Sequence, residues 1–520
     1  MTTHPNSPAP DAPELFALRS PTGAALVTAT VLASLVGFVD AYMVNVALPA
    51  IGEDLGASVS ELQWVVTGYL ITVAALLMLA GSLADHLGRR RMLFVGLGVM
   101  LVSSFGCAAA PTVEVLIGAR LAQGVGGALV VPSSLALLNG TLRGPDRARG
   151  IGIWAGISTI GTTLGPYGGG WLVDHASWRY MFLLNVPLIV AAFVALRRVP
   201  EVDSSRRRAL SPDVAGGVLA VLGLGGVVFC LTEAPVRGWA DSLVLATGIA
   251  GVLCLAALLP VERRQSQPML RTTLFRSRQF DAINATTLLL YGALAAAGYL
   301  FVLQCQLHMG YTATQAGAAL IPESAVFLVV SPFVGGLVSR VGTRGPMTVG
   351  IILVAAGFCW LSAAGPGDGY VSAVLPGAIL WGLGIGLTVA PLTAGVLAAV
   401  DDADLGEASA INDAVSRVGG VIMIALVPAI LGAGGAATLA EPLAQRYQLA
   451  MLVMAGLTGL AAAISAVFIP HERAPSVQPV AAAPRVSACA VPEPSVVRRR
   501  ADPTHRPVFH RSARGKGAAS

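Results

Sequence analysis

The sequence predicts an all-helical integral membrane protein with 14 spanning helices. Of its 520 residues, 55% are hydrophobic and only 12% are charged, and the mean hydropathy is +0.73. A soluble domain is about 45–50% apolar and about 25% charged, so this composition excludes a soluble enzyme. A spanning helix needs about 20 mostly apolar residues. Fourteen such stretches occur, with no long soluble insertion, and they are centred near Leu32, Thr72, Leu101, Gly126, Ser158, Val186, Leu222, Val252, Leu290, Phe327, Leu353, Leu383, Met423 and Leu457.

The distribution of basic residues predicts the topology independently. Short cytoplasmic loops of membrane proteins carry an excess of Lys and Arg. With the N-terminus placed in the cytoplasm, most of the 33 Lys and Arg residues lie on that side, and Arg179, Arg237 and Arg446 lie on the other. Both termini are then cytoplasmic, and the net charge of +5 is a topology signal that implies no nucleic-acid partner. One loop predicted inside has no Lys or Arg and contains Asp401, Asp402, Asp404 and Glu407.

Polar linkers divide the chain. The segments 197–212 and 262–280 bracket two apolar stretches that look like an insertion between two groups of six. The first residues lack a basic region before a short apolar core, so we expect no cleaved signal peptide. The tail is rich in Pro, Ala and Arg, which predicts disorder and contact with anionic lipid head groups. The predicted divisions are an N-terminal segment 1–20, a six-helix bundle 21–198, two inserted helices 199–262, a second six-helix bundle 263–470 and a basic cytoplasmic tail 471–520.

The run GSLADHLGRRRML, residues 81–93, separates the second and third stretches. Its glycines allow close approach of helix ends, and an acid at a helix end can bond free amides. The run resembles, nearly position for position, the signature loop G-x-L-x-D-x-x-G-R-[RK] of the major facilitator superfamily. The resemblance implies a cytoplasmic latch that holds the outward-facing state, built from Gly81, Asp85, Gly88, Arg89 and Arg90. The alternative is a simple topology anchor.

A degraded copy of this motif occupies residues 335–347. Gly335, Gly342 and Arg344 match it, but Ser339 stands where the acid would be and Thr343 where the first arginine would be. The repeat indicates two related halves, with a site at their interface near the middle of the membrane. The missing acid leaves the second latch unassigned.

Arg120 lies within the fourth stretch, where an arginine costs about 2.5–3.5 kcal/mol at a helix centre. The sequence RLAQGVGGA resembles the superfamily motif R-x-x-Q-G-x-G-x-A, in which the arginine is linked to proton transfer; Gln123 matches as well. A purely structural arginine remains the alternative.

The fifth stretch contains GISTIGTTLGPYGGG, residues 156–170. Glycines permit backbone contact between membrane helices, and proline removes a backbone hydrogen bond and bends the helix. The order of Gly161, Gly165, Pro166 and Gly169 resembles the antiporter motif shared by exporters of the superfamily. This motif is the main indication of export rather than uptake.

Asp40 begins DAYMVNVALP in the first stretch, which resembles D-x-T-I-V-N-V-A-L-P of the 14-helix drug:proton antiporter branch. Tyr42 and Met43 replace the usual Thr and Ile, and this difference alters the predicted pocket lining. Asp40 is a candidate ligand for a proton or a substrate, with a structural bond at a helix end as the alternative.

Three ionisable residues lie in apolar stretches of the second half, and such residues are functional candidates by default. Glu323 follows Pro322 and has no basic neighbour in sequence, so it is a candidate for a proton or a cationic substrate. The alternative interpretation is that Glu323 lies near a helix end and is exposed to water. Asp413 and Arg417 are four residues apart, which is the spacing of an intrahelical ion pair.

Together these features predict the major facilitator fold and a proton-coupled exporter of drugs or amphiphilic, cationic small molecules, in which Asp40, Arg120 and Glu323 serve coupling or recognition. The expected protein is a monomer in a bacterial plasma membrane, driven by the proton gradient without a cofactor or metal. Two alternatives stay open: a dedicated exporter of one native metabolite or antibiotic, and a non-transporting sensor. The sequence contains no P-loop that would indicate an ATP-driven pump.

Overall fold

The computed structural model describes residues 15–201, 213–265, 271–401, 404–433 and 440–470. Across these ranges the chain is helical, apart from connecting turns and one isolated bridge between Phe16 and Leu142. The predicted tail 471–520, most of the predicted segment 1–20 and the side chain of Ser339 lie outside the described part.

Every predicted apolar stretch contains a helix, and two stretches contain a pair of helices. The helices are α1 (Pro21–Leu55), α2 (Val59–Leu87), α3 (Arg89–Ala108), α4 (Val113–Thr141), α5 (Gly144–His175), α6 (Trp178–Leu183), α7 (Asn185–Arg197), α8 (Val214–Arg237), α9 (Ser242–Arg264), α10 (Arg278–Leu307), α11 (Ala313–Ala318), α12 (Ile321–Val341), α13 (Arg344–Leu361), α14 (Leu375–Ala398), α15 (Leu405–Leu431) and α16 (Ala440–Phe468).

Thirteen helical segments of the described chain are long and apolar enough to cross a membrane, with α6–α7 and α11–α12 each counted as one. The remaining predicted span, α5, is 32 residues long but is not among them. Its many glycines and threonines lower its hydropathy, because these residues replace large apolar side chains. The prediction of an all-helical membrane protein is therefore confirmed, and the count of 14 depends on α5.

Local sequence signals determine several helix ends. The Ser58 side chain caps α2 and pairs reciprocally with Glu61, as in a capping box. Gly56, with φ +62°, ends α1, and Gly88, with φ +103°, separates α2 from α3. L-residues with side chains rarely adopt such φ values, so glycine is needed at these two turns.

The loops between consecutive spanning segments alternate between two faces. We call the face that carries the α2–α3 turn the Gly88 face, and the face where α11 begins the Ala313 face. The backbone of Phe16 bonds to Thr141 and Arg143 at 2.9 and 3.0 Å, which places the start of α1 beside the α4–α5 turn on the Gly88 face.

Helix packing forms two groups, which contact each other directly through α2 and α15 and through α5 and α11. In the first group α1 packs on α5 and α7, and α4 packs on α2 and α3. In the second, α10 packs on α15 and α16, and α14 packs on α12 and α13. Helix α8 pairs with α9 and also contacts both α2 and α15, so it lies beside the junction of the two groups.

Polar contacts fasten α8 to α2. Glu233 of α8 accepts hydrogen bonds from the Ser60 hydroxyl at 2.6 Å and from Trp64 Nε1 at 3.1 Å. Further along the helix, Leu224 and Val228 pack in one apolar cluster with residues of α2 and α15. The inserted helix is thus held to the first group by specific bonds and to the second by apolar contact.

The acidic loop that has no basic residue of its own is paired across the sequence. Arg271, which precedes α10, lies 2.6 Å from Asp404 and 2.9 Å from Glu407. This contact joins the α9–α10 connection to the α14–α15 connection on the Gly88 face.

Candidate functional site

The buried arginine of α4 is the centre of the polar network in the first group. Arg120 is 0% exposed, and its Nη1 donates to Asp40 Oδ2 at 2.5 Å and to Gln123 Oε1 at 2.8 Å. Its Nε donates to the Val65 carbonyl oxygen at 3.0 Å. Its Nη2 has no hydrogen-bond partner among the described residues. The arginine therefore connects α4 to α1 and α2 without reaching the surface.

The second oxygen of Asp40 is held by two amides. Gln123 Nε2 and Asn185 Nδ2 each donate to Asp40 Oδ1 at 2.9 Å. The same two nitrogens also donate to Ser104 Oγ, at 3.0 and 3.4 Å. Side chains from α1, α3, α4 and α7 thus meet at one carboxylate that is 1% exposed. Asp40 lies in the interior of α1, so the structure gives it no bond at a helix end.

Aromatic rings close the network. The Tyr69 ring centroid is 4.5 Å from Arg120 Cζ, and the Phe182 ring centroid is 5.9 Å away. Both distances suit a cation–π interaction. The Tyr69 hydroxyl donates to the Gly37 carbonyl oxygen at 3.1 Å, which fixes the ring between α2 and α1. These rings shield the charges from water, so Asp40 and Arg120 depend on each other for charge compensation.

Tyr42, two residues after Asp40 in α1, lies at the interface between the two helix groups. Positions i and i+2 lie about 200° apart around a helix, so Tyr42 points away from the direction of Asp40. Tyr42 is 47% exposed despite its mid-helix position, and its hydroxyl is within electrostatic range of Glu323, Asp413 and Arg417 of the second group. Helix α1 therefore presents Asp40 to its own bundle and Tyr42 to the interface.

A cavity of about 210 Å³ lies in the second group, between α10, α14 and α15. Beside it, Arg417 Nε lies 3.2 Å from Asp413 Oδ2, which is the ion pair that their spacing suggested. The cavity is lined by Tyr291, Leu392, Thr393, Val396, Leu397, Ser409, Asn412, Asp413 and Ser416.

Glu323 is separate from the Asp40 network. It is half-buried in the first turn of α12 and accepts a hydrogen bond from the Ser324 hydroxyl at 2.8 Å. No ion pair to Glu323 is found among the described residues. The structure therefore joins Asp40 and Arg120 but leaves Glu323 as a different site, on the opposite side of the interface.

The glycines of α5 allow it to approach α1. A Cβ on Gly165 would lie 3.2 Å from the Val39 Cα, and one on Gly169 would lie 2.2 Å from the Met43 side chain. Gly161 is similarly crowded by Leu35. Side chains at these positions would separate the two helices, which explains why the motif requires glycine.

The end of α5 also closes the Ala313 face against α11. A Cβ on Gly317 would lie 2.3 Å from the Pro166 carbonyl oxygen, so the two backbones are in contact. Asp174 accepts hydrogen bonds from the backbone amides of Ala313 and Thr314 at 3.1 and 2.8 Å. The two helix groups are therefore joined on this face.

The gating motif on the Gly88 face makes contacts within the first group. Arg89 Nε and Nη2 donate to Asp85 Oδ1 at 3.0 and 2.9 Å, and Nη1 donates to the Ala136 carbonyl oxygen at 2.9 Å. Arg90 donates to the Leu196 carbonyl oxygen at 3.2 Å. A Cβ on Gly81 would meet nothing within 4 Å. Among the described residues, the hydrogen bonds and ion pairs of the latch residues stay within the first part of the chain and do not reach the second group.

Sequence reasoning missed two parts of this arrangement. Asn185 contacts Asp40, but sequence reasoning did not single it out from the apolar run FLLNVPLIV, in which it is the one amide. Asp174 bonds to α11, although in sequence it looks like an ordinary acid at a helix end. Both partners are distant in sequence, so neither contact could be derived from local spacing.

Comparison with known proteins agrees with the fold and the motifs. The family model of the Major Facilitator Superfamily matches residues 30–423. The multidrug resistance protein Stp of Mycobacterium tuberculosis is 37% identical over 412 residues, covering 79% of this chain and 76% of that protein. The tetracenomycin C resistance and export protein of Streptomyces glaucescens is 34% identical, covering 77% and 75% of the two chains. The POT family transporter PepTSo has a TM-score of 0.62 at 15% identity, covering 86% and 97%.

Proposed function

Since the chain belongs to the major facilitator superfamily, we propose that it is a secondary active transporter that exports amphiphilic small molecules in exchange for protons. The protein is accordingly a multi-pass membrane transporter and not an enzyme. Relatives named for multidrug resistance and for tetracenomycin C resistance and export support the direction of transport. The glycine-rich motif of α5 supports it as well, since it resembles that of exporters.

The buried pair of Asp40 and Arg120 is the observation that supports protons as the coupling ion. In a site with 0% exposure, a proton on Asp40 removes the negative charge that compensates Arg120. An uncompensated buried charge is costly, so protonation favours a rearrangement of α1 and α4. The site is too enclosed in this conformation to contact a substrate, and we therefore assign Asp40 to the proton.

Glu323 and the residues near Tyr42 form the proposed substrate site. Two carboxylates, Glu323 and Asp413, and one guanidinium, Arg417, lie within electrostatic range of the Tyr42 hydroxyl. Their formal charges sum to one negative charge, which favours a cationic substrate. The rings of Tyr42 and Tyr291 offer apolar surface for the remainder of an amphiphilic molecule.

The membrane orientation follows from the arginines. We assign the Gly88 face to the cytoplasm, because Arg89 and its neighbours lie there. The closed Ala313 face is then external, and the conformation is inward-facing. In the proposed cycle the latch of Asp85 and Arg89 engages the second group only in the opposite, outward-facing state. We further propose that the protein acts as a monomer, without a cofactor.

A dedicated exporter of one native compound is the second candidate. The cephamycin export protein CmcT of Amycolatopsis lactamdurans, 32% identical over 427 residues, supports this alternative. Expression in a drug-sensitised host distinguishes the two functions. Resistance to several unrelated compounds favours a multidrug exporter, whereas resistance to one compound favours a dedicated one.

Proton release tests the proposed coupling directly. Lipophilic cations such as tetraphenylphosphonium and ethidium, together with neutral drugs, are added to purified protein in weakly buffered detergent. We expect release from the wild type, its loss in Asp40→Asn, and weaker binding of cations in Glu323→Gln. Equal release from wild type and Asp40→Asn would exclude Asp40 as the proton site.

A further inference from the structure

In the Asp40 network the Asn185 side chain makes hydrogen bonds through its amide nitrogen, whereas its amide oxygen makes none to the described residues. Its Nδ2 donates to Asp40 Oδ1 at 2.9 Å, whereas its Oδ1 is buried and has no partner among the described residues. Asn185 itself is 0% exposed. An unsatisfied buried amide oxygen costs free energy and therefore needs a physical reason.

The position of Asn185 is set by the break between α6 and α7. Leu184 interrupts the helix, and Asn185 is the first residue of α7. Pro187 follows in the first turn, where its missing N–H costs no helical hydrogen bond. The side chain therefore projects from a fixed helix start toward α1 and α3.

The other amide of the network cannot take the same role. Gln123 Oε1 already accepts from Arg120 Nη1 at 2.8 Å, and Gln123 Nε2 donates to Asp40. Reversing this amide would place its oxygen against the carboxylate and its nitrogen against the guanidinium. The Asn185 amide can reverse at the loss of only its long bond to Ser104 Oγ, at 3.4 Å, because nothing in the described chain binds its oxygen.

We infer that Asn185 is a positioning residue for the proton on Asp40. Its amide donates to the carboxylate and, once Asp40 is protonated at Oδ1, reverses so that Asn185 Oδ1 accepts the new O–H. The inference rests on the proposed function, since it requires that Asp40 takes up a proton. The reversal gives the Asn185 amide oxygen a hydrogen-bond partner when Asp40 is protonated.

Three other charged or titratable groups among the described residues face Asp40. They are Arg120 from α4, Tyr69 from α2 and Cys107 from α3. None of these is altered by a substitution at Asn185. A hydrogen bond to a charged group is about twice as strong as one between neutral groups, so Asn185 stabilises the carboxylate more than the acid.

Infrared titration of the purified protein in detergent tests this inference without a substrate. The C=O stretching band of protonated Asp40 is identified as the band that Asp40→Asn lacks, and its pH midpoint is measured. In Asn185→Leu we expect the midpoint to rise by about one pH unit. We also expect the band to move to higher wavenumber, because the acid has lost its acceptor. A merely structural asparagine would leave the band position unchanged.

Gln304 provides a matched control. It is a buried amide of α10 whose Nε2 donates to the Ala364 carbonyl oxygen at 3.0 Å and whose Oε1 likewise has no partner in the part of the chain that the structure describes. Gln304→Leu is expected to leave the Asp40 band and its midpoint unchanged. If Asn185→Leu does not elute as folded protein, the smaller Asn185→Val is measured, with the same expected directions.

The outcomes separate the inference from the proposed function. An Asp40 band whose midpoint and position are the same in wild type and both Asn185 variants would overturn the role of Asn185 and leave the proton site intact. The absence of any Asp40-dependent acid band in the wild type would overturn the proton site itself.

Discussion

Replacing Arg120 with leucine removes the one positive charge that, among the described residues, pairs with Asp40 inside the first helix group. The carboxylate would keep the amides of Gln123 and Asn185, but it would lose the 2.5 Å contact to Nη1. Breaking a buried pair by removing one partner costs about 3–5 kcal/mol. We therefore expect Arg120→Leu to lower the free energy of unfolding by about this amount. The measurement is a titration with sodium dodecyl sulfate in mixed micelles.

A double variant and an exposed pair complete this experiment. Asp40→Asn combined with Arg120→Leu contains neither charge, so we expect it to be more stable than Arg120→Leu alone. Arg149 lies 3.7 Å from Asp146, and its side chain is 72% exposed, so Arg149→Leu should cost no more than about 1 kcal/mol. Equal losses for Arg120→Leu and Arg149→Leu, or no recovery in the double variant, would refute the reasoning that the buried charges depend on each other.

Three further predictions concern the gate and the substrate site. Asp174→Ala removes at least two bonds to α11. In a background free of other cysteines, a buried cysteine introduced at Ala316 should therefore react at least about tenfold faster with maleimide, because the loss of one charge-assisted bond alone accounts for about this factor. An unchanged rate would contradict this. A Cβ on Gly170 would lie 2.3 Å from a backbone oxygen of α11, so Gly170→Ala should raise the same rate, whereas Gly168→Ala, with open space, should not. Glu323→Gln should raise the Kd for ethidium about tenfold and leave the Kd for neutral drugs unchanged. Fluorescence titration and equilibrium dialysis measure the two affinities. An equal loss of affinity for ethidium and for neutral drugs would argue that the charge of Glu323 has no role in binding.

Much of the fold could be predicted because lipid imposes simple requirements on the sequence. Length, flanking charges and the positions of Pro and Gly located the helices. Helix α5 was located as well, although it is not among the thirteen segments that are apolar enough to cross a membrane, and its glycine motif was recognisable. The same reasoning singled out Arg120, since a charge inside an apolar stretch needs a partner. It also suggested the Asp413 and Arg417 pair, because helical spacing makes these residues neighbours.

The partners of these residues could not be predicted, because they come from distant parts of the chain. Asp40 and Arg120 are separated by 80 positions, and Asp40 and Asn185 by 145. Helical geometry requires Asp40 and Tyr42 to point in different directions, but which of them faces the interface depends on how α1 packs. In the acidic loop, Asp404 likewise pairs with Arg271, which is 133 positions away in sequence.

Transport by reconstituted protein tests the central claim of proton-coupled export most directly. Wild type and Asp40→Asn are placed in liposomes, and ethidium movement is recorded with and without an imposed pH gradient. We expect the gradient to drive ethidium across the membrane against its concentration, with protons moving the other way, in the wild type alone. Wild-type transport that proceeds only down the ethidium gradient, and is the same with and without the pH gradient, would contradict the account.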